Sequence, residues 1–222
     1  MTVKQYQKVN EVSNAIYLDN VDKVAFTVCH LLGYTEQEVD VMPPKKFVKL
    51  MNRTVKMVER TGAPLPFAKK LNTNARKITL GQFIEINYWL KSGVVESVHL
   101  IAATMIHDEN HSATADRVLK MNARRVVPYV SEFIESFEAL IASYPGLFPP
   151  PKEVEPGEEK PMPEKPHPFL EQYGWVFSAT QVADFEGVTL SQAYDLPVIQ
   201  ALNAMAYLKS KAAYDEKLAK QK

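Results

Sequence analysis

The feature that most limits how this chain folds is the placement of its prolines. Nine of the fifteen fall between Pro145 and Pro168, in PGLFPPPKEVEPGEEKPMPEKPHP. Proline has no amide donor and drives the residue before it out of the helical region, so neither a helix nor a sheet interior runs through such a stretch. The expectation is an extended, mildly acidic spacer, with recognition by an aromatic groove as the second reading. The chain is therefore expected to divide into a body (1–144), a proline-rich linker (145–168) and a small helical C-terminal unit (169–222).

Hydrophobic periodicity makes the fold all-α, with at most one short β-hairpin. Val21 to Leu32 is apolar at helical spacing and stops at Gly33, and Thr35 with Glu38 forms a capping box for a short helix ended by Pro43 and Pro44. Pro44 suits the first position of the next helix. There Phe47, Met51, Val55 and Val58 share one face. Leu65–Leu71 and Arg76–Leu80, around Asn72-Thr73-Asn74, are the candidate hairpin, although that turn lacks glycine. Thr79 and Gln82 cap a helix running to Gly93, and Val94 to Met105 continues as its partner. After a polar break at His107–Ser112, helices are expected over Ala113–Arg124 and from Pro128 onward. Beyond the linker, Phe169–Val182, a turn at Thr189–Tyr194 and a helix opening at Asp195-Leu196-Pro197 complete the set.

Several function classes lack their chemistry. With 26 basic and 26 acidic residues the net charge is zero, against a dedicated nucleic-acid binder. The single cysteine, Cys29, permits no intramolecular disulfide, which fits a reducing compartment; its neighbour His30 projects about 100° away on a helix, so a buried structural thiol is expected. No window approaches the roughly 18 uninterrupted apolar residues of a membrane span, and the N-terminus lacks the apolar core of a signal peptide. The eight glycines are scattered and form no phosphate loop, and no cofactor is expected. His107 and His111 have the spacing of a zinc pair, but Asp108 stands where a zincin needs glutamate, and a polar loop is the better reading. Glu132, Glu135 and Glu138 recur every three residues and suit a solvated helix face better than acid–base work. The chain is expected not to be an enzyme.

Two surfaces stand out as candidates for binding proteins. From Lys45 to Lys77 there are ten basic residues and one acidic, and Lys45, Lys49, Arg53, Lys56 and Arg60 recur every three or four residues on one helix face. A solvated face is the plainest account, an acidic protein partner the next, and nucleic acid a distant third because aromatic stacking groups are few. In the last helix Tyr207, Lys211 and Tyr214 share a face, suited either to a groove on a partner or to packing against the Trp175 helix.

Three stretches resemble, in order, small helical proteins of tailed bacteriophages: NVDKVAFTVCHLLGYTEQEVDVMPPKKFVKL, ITLGQFIEINYWLKSGVVESVHLIAATMI and YGWVFSATQVADFEGVTLSQAYDLPVIQALNAMAYLKSKAAYDEK. The likeness includes a Glu-Val-x-x-Met-Pro turn, the helix start Thr79, Gly81, Gln82, Phe83, Ile84 and Glu85, a tryptophan helix and a terminal Leu-Pro helix. Such proteins, particularly from phages of Bacteroidetes, are labelled tail assembly chaperones or virion structural proteins. The resemblance implies a chaperone that binds the long tape measure protein during virion assembly in the host cytoplasm, in several copies. A component of the mature particle, at the neck, tail or capsid, is the alternative within phage biology. A cellular helical adaptor using the basic face is the alternative outside it.

Overall fold

Four Thr-x-x-(Glu/Gln) boxes punctuate this chain, at Thr2/Gln5, Thr35/Glu38, Thr79/Gln82 and Thr189/Gln192, and in the computed structural model each one opens a helix. In each, the threonine hydroxyl accepts from the amide three residues on while the Glu or Gln side chain reaches back, satisfying two orphan donors. The structure describes residues 1–15, 20–63, 71–106, 110–150 and 167–221. The α-helices among them are α1 (Val3–Ser13), α2 (Asn20–Leu32), α3 (Glu36–Asp40), α4 (Pro44–Glu59), α5 (Leu80–Lys91), α6 (Val94–Ile106), α7 (His111–Lys120), α8 (Val127–Ala142), α9 (Pro168–Glu186), α10 (Leu190–Asp195) and α11 (Val198–Ala219). Among the described residues no β-strand forms; two isolated bridges, Thr2 with Asn122 and Thr79 with Pro197, are the β pairing. The fold is all-α.

The chain divides into two compact units, Met1–Thr73 with Ile86–Phe133, and Asn74–Glu85 with Ile134–Lys222. This differs from the division expected at the prolines, since residues before Pro145 contribute to both units. Phe148 shows why: Tyr144–Phe148 forms a turn in which the amides of Leu147 and Phe148 both donate to the Tyr144 carbonyl, and the Phe148 ring lies 6.0 Å from that of Phe83. At the far edge, Pro168 is already the first residue of α9, capped by His167. The middle of the expected linker, 151–166, lies outside the described residues.

In the first unit α6 and α7 form the most extensive pairing, α1 packs on α2, α6 and α7, and α2 carries α3 and α4. Val3, Val28, Ile101, Ala102, Val118 and Val126 are fully buried there. The chain start is locked in by backbone bonds, Val3 N–H to Met121 O at 3.0 Å and Ala123 N–H to Met1 O at 3.0 Å. That pairing holds Met121 in an extended conformation, so α7 ends at Lys120 and a short 3-10 turn follows over Ala123–Arg125. The continuous helix expected over Ala113–Arg124 is corrected accordingly. Gly33 and Gly93 end α2 and α5 with φ of 76° and 102°, as their positions suggested.

In the second unit Phe83 is fully buried at the start of α5, with Phe137 of α8 5.0 Å away and Trp175 of α9 5.7 Å away between ring centroids. The hairpin expected around Asn72-Thr73-Asn74 is not formed by its second arm. Asn74 instead accepts from the Arg76 amide at 2.9 Å and caps a 3-10 turn over Ala75–Lys77. The extended residues that follow pair with a distant segment, Leu80 N–H to Leu196 O and Val198 N–H to Ile78 O, both 2.9 Å. The first arm from Leu65 to Lys70 lies outside the described residues. Gly81 permits this pairing, because a Cβ there would sit 3.3 Å from the Tyr194 carbonyl oxygen.

Candidate protein-binding surfaces

On α4 the structure gathers the five predicted cations. Lys45, Lys49, Arg53, Lys56 and Arg60 line one open groove of about 740 Å³, together with Val48, Leu50, Asn52 and Met57. All five are exposed, and none of them is in an ion pair among the described residues. Lys46 lies elsewhere, its ammonium 5.4 Å from the centre of the Tyr34 ring. The helix sits so because its opposite side is turned inward: Thr54 is buried, and Phe47, Met51 and Val58 are half-buried on the side packed toward α2. Val55, expected on that apolar face, is instead 47% exposed, and Val48 is 48% exposed. The groove is thus a cationic row with uncovered apolar side chains beside it.

In the second unit the three predicted residues of α11 share a face but differ in what they touch. Tyr207 packs its ring 5.3 Å from Phe185 of α9 and stays 54% exposed. Lys211 bonds to Asp215 one turn on at 2.5 Å, and that bond raises its pKa above the usual lysine value. Tyr214 is 61% exposed. Every described residue from Lys209 to Gln221 is exposed, so the last half of α11 has no covering element among the described residues.

A further surface in this unit is not marked by sequence periodicity. α9 buries Ala179, Val182 and Ala183 on one side, with Trp175 against Phe83, yet presents Phe169, Leu170, Tyr173, Val176 and Phe177 at 43–49% exposure on another. Three of these rings form a cluster: Phe169 lies 5.6 Å from Tyr173 and 6.1 Å from Phe177. The signal was present in the spacing of these residues at i, i+1, i+4, i+7 and i+8. It was masked because α9 is apolar on two sides, which blurs the single stripe that periodicity detects.

Several polar side chains of the first unit are held by contacts inside it. His111 stacks on Trp89 with centroids 6.3 Å apart, and its Nε2 lies 3.2 Å from Leu100 O and 3.1 Å from Thr104 Oγ1. His111 therefore opens α7 as a packed residue and not as part of a polar loop, while His107 lies outside the described residues. The Gln7 amide joins α1 to α6 through the carbonyls of Val95 and Glu96 and lies 3.0 Å from His99 Nδ1. Burial pushes the His99 pKa down, offset in part by Asp116. Cys29 is half-buried, and burial followed by the carboxylate of Glu36 holds its thiol above the usual value, which suppresses thiolate chemistry. Glu132, Glu135 and Glu138 are all exposed, with Glu132 accepting from the Thr73 hydroxyl at 2.9 Å. Among the described residues no group of three or more His, Cys, Asp or Glu is placed to hold a metal ion, and no helix is long and apolar enough to cross a membrane. No protein-family model matches this chain, and neither a curated protein nor a solved structure matches it.

Proposed function

We propose that this chain is a non-enzymatic bacteriophage morphogenesis protein, a tail assembly chaperone that binds the tape measure protein in the host cytoplasm. The observation that carries the protein-binding half of this reading is the exposed aromatic row of α9. Apolar rings left in water along a helix are the surface that a holdase offers to apolar segments of an unassembled partner. A cluster of Phe169, Tyr173 and Phe177 adds large contact area from side chains with few rotors. The phage half is supported by the resemblance of the three segments, two of which supply Phe83 and Trp175, in contact within the second unit.

Mass spectrometry of purified virions, alongside a pull-down of this chain from infected-cell lysate, tests the proposal. Recovery of one long helical tail protein with absence from virions supports it. Stoichiometric presence in virions assigns the chain to the mature particle, and absence from both removes the phage reading.

A further inference from the structure

We propose that the cationic groove of α4 seats an acidic amphipathic helix of a protein partner, with carboxylates at spacings of three and four residues along one line. Lys45, Lys49, Arg53, Lys56 and Arg60 follow spacings of 4, 4, 3 and 4, so they lie in a single row on the helix. At about 1.5 Å rise per residue the row is about 22 Å long, with a charge every 5 to 6 Å or so. A second helix laid along it, carrying Glu or Asp at the same spacings, places one carboxylate opposite each cation.

Two further observations fit this occupant. Among the described residues the five cations have no carboxylate partner, and like charges at four-residue spacing repel, so the row weakens its own helix until a partner neutralises it. Val48 on one flank, with Leu50 and Met57 on the other, gives apolar contact to a helix that is itself apolar beside its acidic line. A bare acidic tail makes no use of those flanks.

Other occupants fit less well. An amphipathic helix that enters a membrane surface points its apolar face outward, whereas α4 turns that face toward α2 and leaves the cations outside. Among the described residues no aromatic side chain lines the groove to stack on bases, and the whole chain carries no net positive charge. The proposal rests on the reading of this chain as a protein binder but on neither the phage assignment nor the α9 row.

The test is fluorescence anisotropy with the full-length chain and a labelled synthetic helix of about twenty residues, carrying glutamates at spacings of 4, 4, 3 and 4 with leucines alongside. Binding is expected, weakened on the order of tenfold or more between about 0.05 and 0.5 M salt. Replacing the glutamates by glutamine should abolish it, and so should moving them off the common line at unchanged charge. Lys49→Glu/Arg53→Glu should weaken binding at least about tenfold, while Arg76→Glu/Lys77→Glu, also exposed cations, should not. Lys49→Gln/Arg53→Gln serves as the milder pair if charge reversal disturbs the helix by circular dichroism. Equal binding of the glutamine or scrambled peptide overturns the proposal, as does tighter binding of a single-stranded oligonucleotide or an anionic vesicle. Because this assay holds no phage component, its failure is distinct from failure of the pull-down above.

Discussion

Phe83 meets Trp175 edge-on, ring centroids 5.7 Å apart and planes 81° apart, which joins the start of α5 to the middle of α9. Phe83 has no exposed surface and also touches Phe137 and Phe148. Its truncation leaves a cavity bordered by three rings, so Phe83→Ala should destabilise the second unit by about 3–5 kcal/mol. Urea unfolding followed by tryptophan fluorescence measures this, and a loss under about 1 kcal/mol would show that the cluster is not its core.

The rings on the solvent side of α9 should behave in the opposite way. Phe169→Ser/Phe177→Ser is expected to change stability by no more than about 1 kcal/mol, since both residues are already nearly half exposed. The same pair should lower the binding of a dye that reports exposed apolar surface. A large stability loss would mean that the row is covered.

Stability of the first unit should depend on the protonation of His99. Its folded pKa is lowered, by burial first and by His111 to a smaller degree, against the raising effects of Asp116 and the Glu96 backbone. The unfolded chain therefore binds the proton more tightly, so the stability contribution is full above about pH 6.5 and is lost as pH falls below it. Denaturation midpoints between about pH 5 and 7.5 should rise with pH, and His99→Gln, which keeps a polar neighbour for Gln7, should flatten that slope. An unchanged slope in the variant would assign it to another group.

Gly93 sets the turn between α5 and α6. Its φ of 102° is outside the range L side chains adopt, and a Cβ there would meet the Glu96 carboxylate. Gly93→Ala should cost about 1–2 kcal/mol by denaturant unfolding, and no loss would mean that the turn rearranges freely.

Several helix ends are legible in the sequence because a short-range bond fixes them. Thr35 with Glu38, Thr79 with Gln82, Pro44 and Gly33 each act within four residues, so the chain alone reveals them. The row of α4 was equally plain, because the periodicity of one helix places its five cations without help from the fold. What could not be read needs a distant partner. The backbone groups of Ile78 and Leu80, on either side of Thr79, find theirs at Val198 and Leu196, not in a local hairpin, and α7 stops where Met121 meets Val3. Helix α1 leaves only a weak trace in the sequence although Thr2 and Gln5 form a capping box, because its three buried valines, Val3, Val9 and Val12, are thin among polar residues. The exposed face of α9 is hidden for a related reason: only the fold shows that one apolar side meets Phe83 while the other stays 43–49% exposed.

The central claim is that this chain works by binding a helical partner through the α9 row. The most direct measurement is a quantitative pull-down from infected-cell lysate with the wild-type chain and with Phe169→Glu/Phe177→Glu, each shown to be folded. The account predicts that the wild type retains one long helical tail protein and that the variant loses most of it. Equal recovery by both, or recovery of no such protein by the wild type, would contradict it.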